Sequence, residues 1–132
     1  MSNLRSLLDL PDTSFAVVGA TDTPGKYGGR IYRDLKRKGF KVYAINPNRG
    51  TVDGDPAWPS LSALDEIPSM AVLVVPAHEG LRVVADAAIA GVENIWVQPG
   101  AHSRELGDAL DVGGFDWISE ACVMVETVPL RR

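Results

Sequence analysis

A single cysteine, Cys122, among 132 residues rules out an internal disulfide, so the fold must rest on buried apolar area. A basic surplus is missing too. Thirteen Lys and Arg against seventeen Asp and Glu leave a formal charge of −4, whereas a dedicated nucleic-acid binder carries a clustered positive excess. That balance still admits a small anionic ligand, for which a few local cations and backbone amides suffice. No apolar run reaches the length of a membrane span, and the opening MSNLRSLLDLPD is too short and too polar for a secretory h-region. These absences make the cytoplasm the expected compartment. What remains is 45% hydrophobic and 23% charged, typical of a soluble globular chain, and it is expected to form one domain over 1–132.

Strand-like and helix-like segments alternate. FAVVGA (15–20), KVYAIN (41–46), MAVLVV (70–75), NIWVQ (94–98) and DWIS (116–119) read as strands. The run at 70–75 is too continuous for a half-exposed strand and should be buried on both faces. YGGRIYRDLKRKG (27–39) reads as a helix with Ile31, Tyr32 and Leu35 inward and Gly39 as its stop. EGLRVVADAAIAG (79–91) suggests a helix with a stripe of Leu81, Val84, Ala85, Ala88 and Ile89, and Ser103 to Gly113 a third. Asn3 to Leu10 is expected to form a helix on an edge. Arg49 to Ile67, broken by Gly50, Gly54, Pro56 and Pro59, has room for a short strand and one helical turn. Helices between buried strands define the fold class: α/β, a single doubly wound, mostly parallel sheet with helices on both faces, Rossmann-like.

Ligands of such sheets bind outside the carboxyl ends of the strands, so the turns there carry the candidates. The first turn, VVGATDTPGKYGGR, obeys neither common phosphate-loop spelling. Gly19 is followed by Ala20, Thr21, Asp22, Thr23 and Pro24 before the next glycine, Gly25, which breaks G-x-G-x-x-G and sets the pair one residue too far apart for a P-loop. Tyr27 follows Lys26 where a P-loop needs a hydroxyl for magnesium. Even so, Gly25, Gly28 and Gly29 would let amides face outward at a helix start, where the dipole favours an anion, with Lys26 and Arg30 adding charge. The second turn holds Asn46, Pro47, Asn48 and Arg49. An NAD site expects a carboxylate at that place, so this turn argues against NAD and leaves ligands with an extra ribose phosphate, NADP or coenzyme A. The third and fourth turns supply Val75, Pro76 and Ala77, then Gln98, Pro99 and Gly100. Their prolines and glycines suit a close approach of backbone to an extended ligand.

Taken in order, VVGAT…PGKYGGRIYRDLKRKGFKVYAINPNRGTVDG, SLSALDEIP, VLVVP, GVENIWVQPGA and EACVMVE resemble the small CoA-binding domain proteins. These look like the N-terminal nucleotide-binding domain of the succinyl-CoA synthetase α subunit standing alone. The resemblance covers Phe15 to Glu126, and the Asn-Pro and Trp-x-Gln-Pro-Gly turns are its most specific pieces. It implies coenzyme A as the cofactor. The first loop, Gly19 to Gly28, would hold its phosphates, and Asn46-Pro47 would border the nucleotide. Val75-Pro76-Ala77 and Gln98-Pro99-Gly100 would contact adenosine or pantetheine. The synthetases carry a phosphorylated histidine on a second domain, and that chemistry is not expected here. Many members have a histidine after Cys-x-x-x-Glu, where this chain has Thr127.

The remaining candidates favour plain readings. His78 and His102 fall past strand ends, but neither has a Cys or carboxylate partner at metal or triad spacing, so no catalytic or metal residue is assigned. Cys122 sits among apolar neighbours and reads as a buried inert thiol; the sharper alternative is a disulfide with the thiol of CoA. Lys36, Arg37 and Lys38 read as a solvated, dipole-favoured helix end. Trp58, Trp96 and Trp117 read as core, with Trp58 a candidate cover for the ligand. The expected function is a CoA or acyl-CoA binding module without its own catalysis, acting as carrier, sensor or partner of an acyl-CoA enzyme, with no nucleic-acid or membrane partner. An NADP-binding oxidoreductase-type domain is the alternative.

Overall fold

A computed structural model describes residues 4–130. Its elements are β1 (Ser14–Val18), α1 (Tyr27–Arg37), β2 (Lys41–Ile45), β3 (Thr51–Val52), β4 (Asp55–Trp58), β5 (Met70–Leu73), α2 (Ala77–Ala90), β6 (Asn94–Val97), α3 (Arg104–Val112), β7 (Asp116–Ile118) and α4 (Val123–Glu126), with 3-10 turns at Leu4–Asp9 and Leu61–Ala63. The sheet order is β3-β4-β2-β1-β5-β6-β7. Every pairing is parallel except β3 with β4. The chain therefore winds outward from β1 in one direction, returns, and winds outward from β5 in the other. This is the α/β, doubly wound, Rossmann-like sheet that the alternation of segments predicts.

Strand periodicity builds two cores. Phe15 and Val17 of β1, Met70 and Val72 of β5 and Trp96 of β6 point to one face, packing with Ile31, Tyr32 and Leu35 of α1, Val123 of α4 and the N-terminal turn's Leu4 and Leu8. Ala16, Val18, Ala71, Leu73, Ile95 and Val97 point to the other, against Val84 and Ala87 of α2 and Leu106 and Leu110 of α3. All four residues of β5 are buried, as a strand covered by helices on both faces must be. The N-terminal 3-10 turn contacts the edge strand β7, although Asn3 lies outside the described residues.

Three expectations need correction. The buried stripe of α2 is Gly80, Val84 and Ala87; Ala85, Ala88 and Ile89 face solvent, Ile89 being 78% exposed. A small-residue helix reads equally well in two phases, and Gly80, packed under Leu106, selects the other one. The segment 49–67 holds two strands, because Asp53 (φ 52°) and Gly54 (φ 78°) close a tight hairpin between β3 and β4. Trp58 packs against the α2–α3 core as expected and lines neither of the two hollows at the strand ends, so its second reading, as a cover for the ligand, finds no support there. Lys38 is not solvated: its side chain is 13% exposed and pairs with Asp34 at 2.7 Å. Its Nζ also donates to Met124 O at 2.7 Å and Thr127 Oγ1 at 2.9 Å, tying α4 to α1. Thr127, buried, donates in turn to Val123 O at 2.8 Å, so its hydroxyl anchors the tail. Among the described residues no helix is long and apolar enough to cross a membrane.

Candidate functional site

The reversal of strand order between β1 and β5 leaves a crevice at their carboxyl ends. There the ladder runs one step beyond the strands: Gly19 N–H donates to Ile45 O, Val74 N–H to Val18 O and Gln98 N–H to Leu73 O. The strands thus end nearly level, and their following turns form one shelf. A groove of about 880 Å³ runs along it from the first loop and the start of α1 past Val74-Val75-Pro76 to Gln98-Pro99-Gly100. A second hollow of about 770 Å³ continues under Asn46-Pro47, between the Pro59-Ser60-Leu61 turn and α2. Gly19, Asn46, Asn48, Val75 and Glu79 line both, so they form one continuous trough.

The start of α1 faces this trough without a cap. Lys26 stands at its N-cap with extended backbone and no side-chain hydrogen bond, and its first turn holds no acid. The helix dipole and the first-turn N–H groups thus favour an anion. Gly28 and Gly29 serve this arrangement differently from the sequence expectation. A Cβ on Gly28 would stand 1.9 Å from Gly19 O, and one on Gly29 2.2 Å from Thr21 O. These glycines let the helix abut the loop, and Gly28 lines the groove as well. Gly25 is the conformational one, with φ 81° and open space around it.

The loop is held in place from outside. Asn46 Nδ2 donates to Ala20 O at 2.9 Å, while its Oδ1 accepts from Asn48 N–H at 2.8 Å. Thr23 N–H donates to Thr21 Oγ1, and Thr23 Oγ1 accepts from Arg49 at 3.0 Å. Asp22 accepts from the N–H of Asp53 in the hairpin turn. Such pinning reduces the entropy lost when a ligand orders the loop.

Of the predicted positions, Gly19, Thr21, Thr23, Lys26, Tyr27, Gly28, Asn46, Pro47, Val75, Pro76, Gln98, Pro99 and Gly100 line the trough. Ala20 is buried behind the loop, and Asp22 and Arg49 are turned to the hairpin and to Thr23. Gly25 and Ala77 lie beside the trough without lining it. Gln98 is 4% exposed and works inward at both ends of its amide: Oε1 accepts from Val123 N–H at 2.8 Å and Nε2 donates to Cys122 Sγ at 3.4 Å. Cys122 is consequently not in the core. It is half-buried in the wall of the larger groove, beside the Gln98-Pro99-Gly100 turn. His102 stacks on Trp117 at 5.7 Å and lies outside the trough, whereas His78 lines the smaller hollow. The sequence reading left Ala101 out of its contacts, kept Cys122 only as an alternative, and missed Glu79 in both hollows and Ser60, Arg82 and Asp86 in the smaller. The α2 residues were legible only with the correct helical phase.

Fold and trough together define a doubly wound α/β domain whose first helix opens, uncapped and free of acids, onto the crevice at the strand ends. Residues 13–128 match the model of the CoA binding domain, and the chain belongs to that family. The ADP-forming acetate–CoA ligase II of Archaeoglobus fulgidus is 34% identical over 94 residues, covering 70% of this chain and 14% of the ligase. The ADP-forming acetate–CoA ligase I of the same organism is 29% identical over 123 residues, covering 85% and 18%. This chain therefore spans less than a fifth of the length of these ligases. Among solved structures, a conserved hypothetical protein of Pyrococcus furiosus superposes with a TM-score of 0.84 at 39% identity, covering 87% of this chain and 99% of that one.

Proposed function

We propose that this protein binds coenzyme A or an acyl-CoA along the trough and works as a carrier, sensor or partner of an acyl-CoA enzyme without turnover of its own. The observation that carries the reading is the uncapped, acid-free start of α1 opening onto a long trough floored by backbone and small residues. An extended ligand with a diphosphate at one point fits that layout. The first-turn amides and Lys26 would take the diphosphate, the hollow under Asn46-Pro47 the adenosine, and the channel toward Pro99-Gly100 the pantetheine arm. Bound CoA would supply a thiol that carries acyl groups as thioesters.

The chain's own part is to bind and orient. Among the described residues no nucleophile in the trough is hydrogen-bonded to a base: the partner of Cys122 is the Gln98 amide. Family membership supports the ligand, and the kinship to acetate–CoA ligases supports an acyl-CoA enzyme as partner. An NADP domain is the competing reading; NAD is disfavoured because Asn46 and Pro47 offer no carboxylate to a ribose.

Calorimetry with CoA, NADP and NAD tests it. CoA should bind with a dissociation constant on the order of micromolar, about −8 kcal/mol, NADP more weakly and NAD not measurably. Lys26→Ala should weaken CoA only severalfold, since backbone amides carry most of the phosphate contact. Tighter binding of NADP than of CoA overturns the proposal, and thioester formation from acetate, CoA, ATP and magnesium by this chain alone overturns its non-catalytic part.

A further inference from the structure

The hollow under Asn46-Pro47 holds an arginine that no hydrogen bond or ion pair engages among the described residues. His78 and Arg82 stand one turn apart on the same face of α2, and both line it. Arg82 is exposed and makes no hydrogen bond or ion pair among the described residues. Of the two acids in that wall, Asp86 is engaged elsewhere, accepting from Leu61 N–H at 2.7 Å and Ser62 Oγ at 2.5 Å. Glu79 sits in the first turn of α2 at the junction of the two hollows, where the dipole of that helix favours a carboxylate. The other cations near the trough are placed differently. Arg49 donates to Thr23 and faces Asp22 at 3.9 Å, Arg30 lies over the Tyr27 ring, and Lys26 belongs to the larger groove.

We infer that Arg82, with His78 beside it, is the residue that reads the 3′-phosphate of the CoA nucleotide. The inference rests on the CoA reading above and adds a specificity determinant to it. A guanidinium can stack on an adenine ring, but only a phosphate would make the affinity depend on its charge. A phosphomonoester carries close to two negative charges near neutral pH, and arginine meets its oxygens in a two-pronged geometry. Among the described residues no other arginine or lysine lines this half of the trough.

Calorimetry with CoA and with 3′-dephospho-CoA, on wild type and Arg82→Ala, tests the assignment, with circular dichroism as the check on folding. Wild type should prefer CoA by about tenfold, the weight of one charge-assisted contact in a half-open site. Arg82→Ala should bring CoA down to the level of dephospho-CoA and leave dephospho-CoA unchanged. Raising the salt should narrow the wild-type preference. Equal wild-type affinity for the two ligands overturns the role of Arg82 and leaves the CoA site standing, as does a variant that weakens both ligands alike. If wild type binds neither ligand, the CoA reading fails and takes this assignment with it.

Discussion

Gly28→Ala should damage the fold before it touches any ligand. The added methyl would stand 1.9 Å from Gly19 O, 2.7 Å from Gly19 C and 3.3 Å from Ala20 Cα, all of them backbone. No rotamer relieves such a contact, so α1 must withdraw from β1 by about 1 Å or the loop must break its bonds to Asn46. Neither motion is free. The inner face of the helix, Ile31, Tyr32 and Leu35, has at most 1% of its surface exposed, so withdrawal opens a void along the whole contact. Overpacking of this kind costs about 1–3 kcal/mol, and an unyielding backbone places Gly28 at the upper end, about 3 kcal/mol. Against a domain stability of about 5–15 kcal/mol, that lowers the melting temperature by about 10 °C. Gly28→Val, with two further methyls, should fail to fold, which removes it as a probe of binding alone. Gly25→Ala is the control: it meets nothing within 4 Å but sits at φ 81°, and left-handed backbone costs a residue with a Cβ about 1–2 kcal/mol. Thermal and urea melts followed by circular dichroism compare the two. A Gly28→Ala protein that melts within about 2 °C of wild type, or above Gly25→Ala, would show that the helix–loop contact is slacker than the geometry requires.

Lys38→Met removes charge-assisted bonds to Met124 O and Thr127 Oγ1 and the partner of Asp34, a loss of about 2–3 kcal/mol. The urea midpoint should fall accordingly, and hydrogen exchange should accelerate first in α4 and the tail. Tyr32 gives a pH signature: burial first, then its 2.6 Å bond to Asp55, push its phenol well above the ordinary value of 10.0. Folding therefore favours the protonated phenol, and this contribution is complete below pH 10.0 and is lost as pH rises above it, where the unfolded chain releases the proton. Urea midpoints from about pH 8 to about pH 11 should fall more steeply for wild type than for Tyr32→Phe; parallel slopes would contradict the shift.

Which of these features the sequence discloses follows from the range of the interactions behind them. The β5 run and the α1 stripe depend on local periodicity, and both strand and helix periods are readable in a single pass along the chain. The turns at the strand ends are local too, which is why Asn46-Pro47 and Gln98-Pro99-Gly100 could be placed on one shelf before their contacts were known. The β3–β4 hairpin was also within reach: Asp53-Gly54 is the dipeptide that a tight turn with two positive φ values favours, but Pro56 beside it read as a breaker. In the sheet that proline stands opposite Thr51 of β3, outside the Ala57 and Trp58 pairing by which β4 joins β2. Lys38 and Cys122 lay beyond local reading. A lysine at a helix end and a cysteine among valines have ordinary local explanations, and only the return of residues 122–127 across the end of the sheet changes them. That return gives Lys38 its carbonyl, and it swings Cys122 from the core into the trough through two bonds to the Gln98 amide. Phase decided the rest. With α2 turned to its other stripe, Arg82 would have read as part of the trough. The 3′-phosphate proposal therefore turns on the rotation of α2, which the buried Gly80, packed against Leu106, fixes.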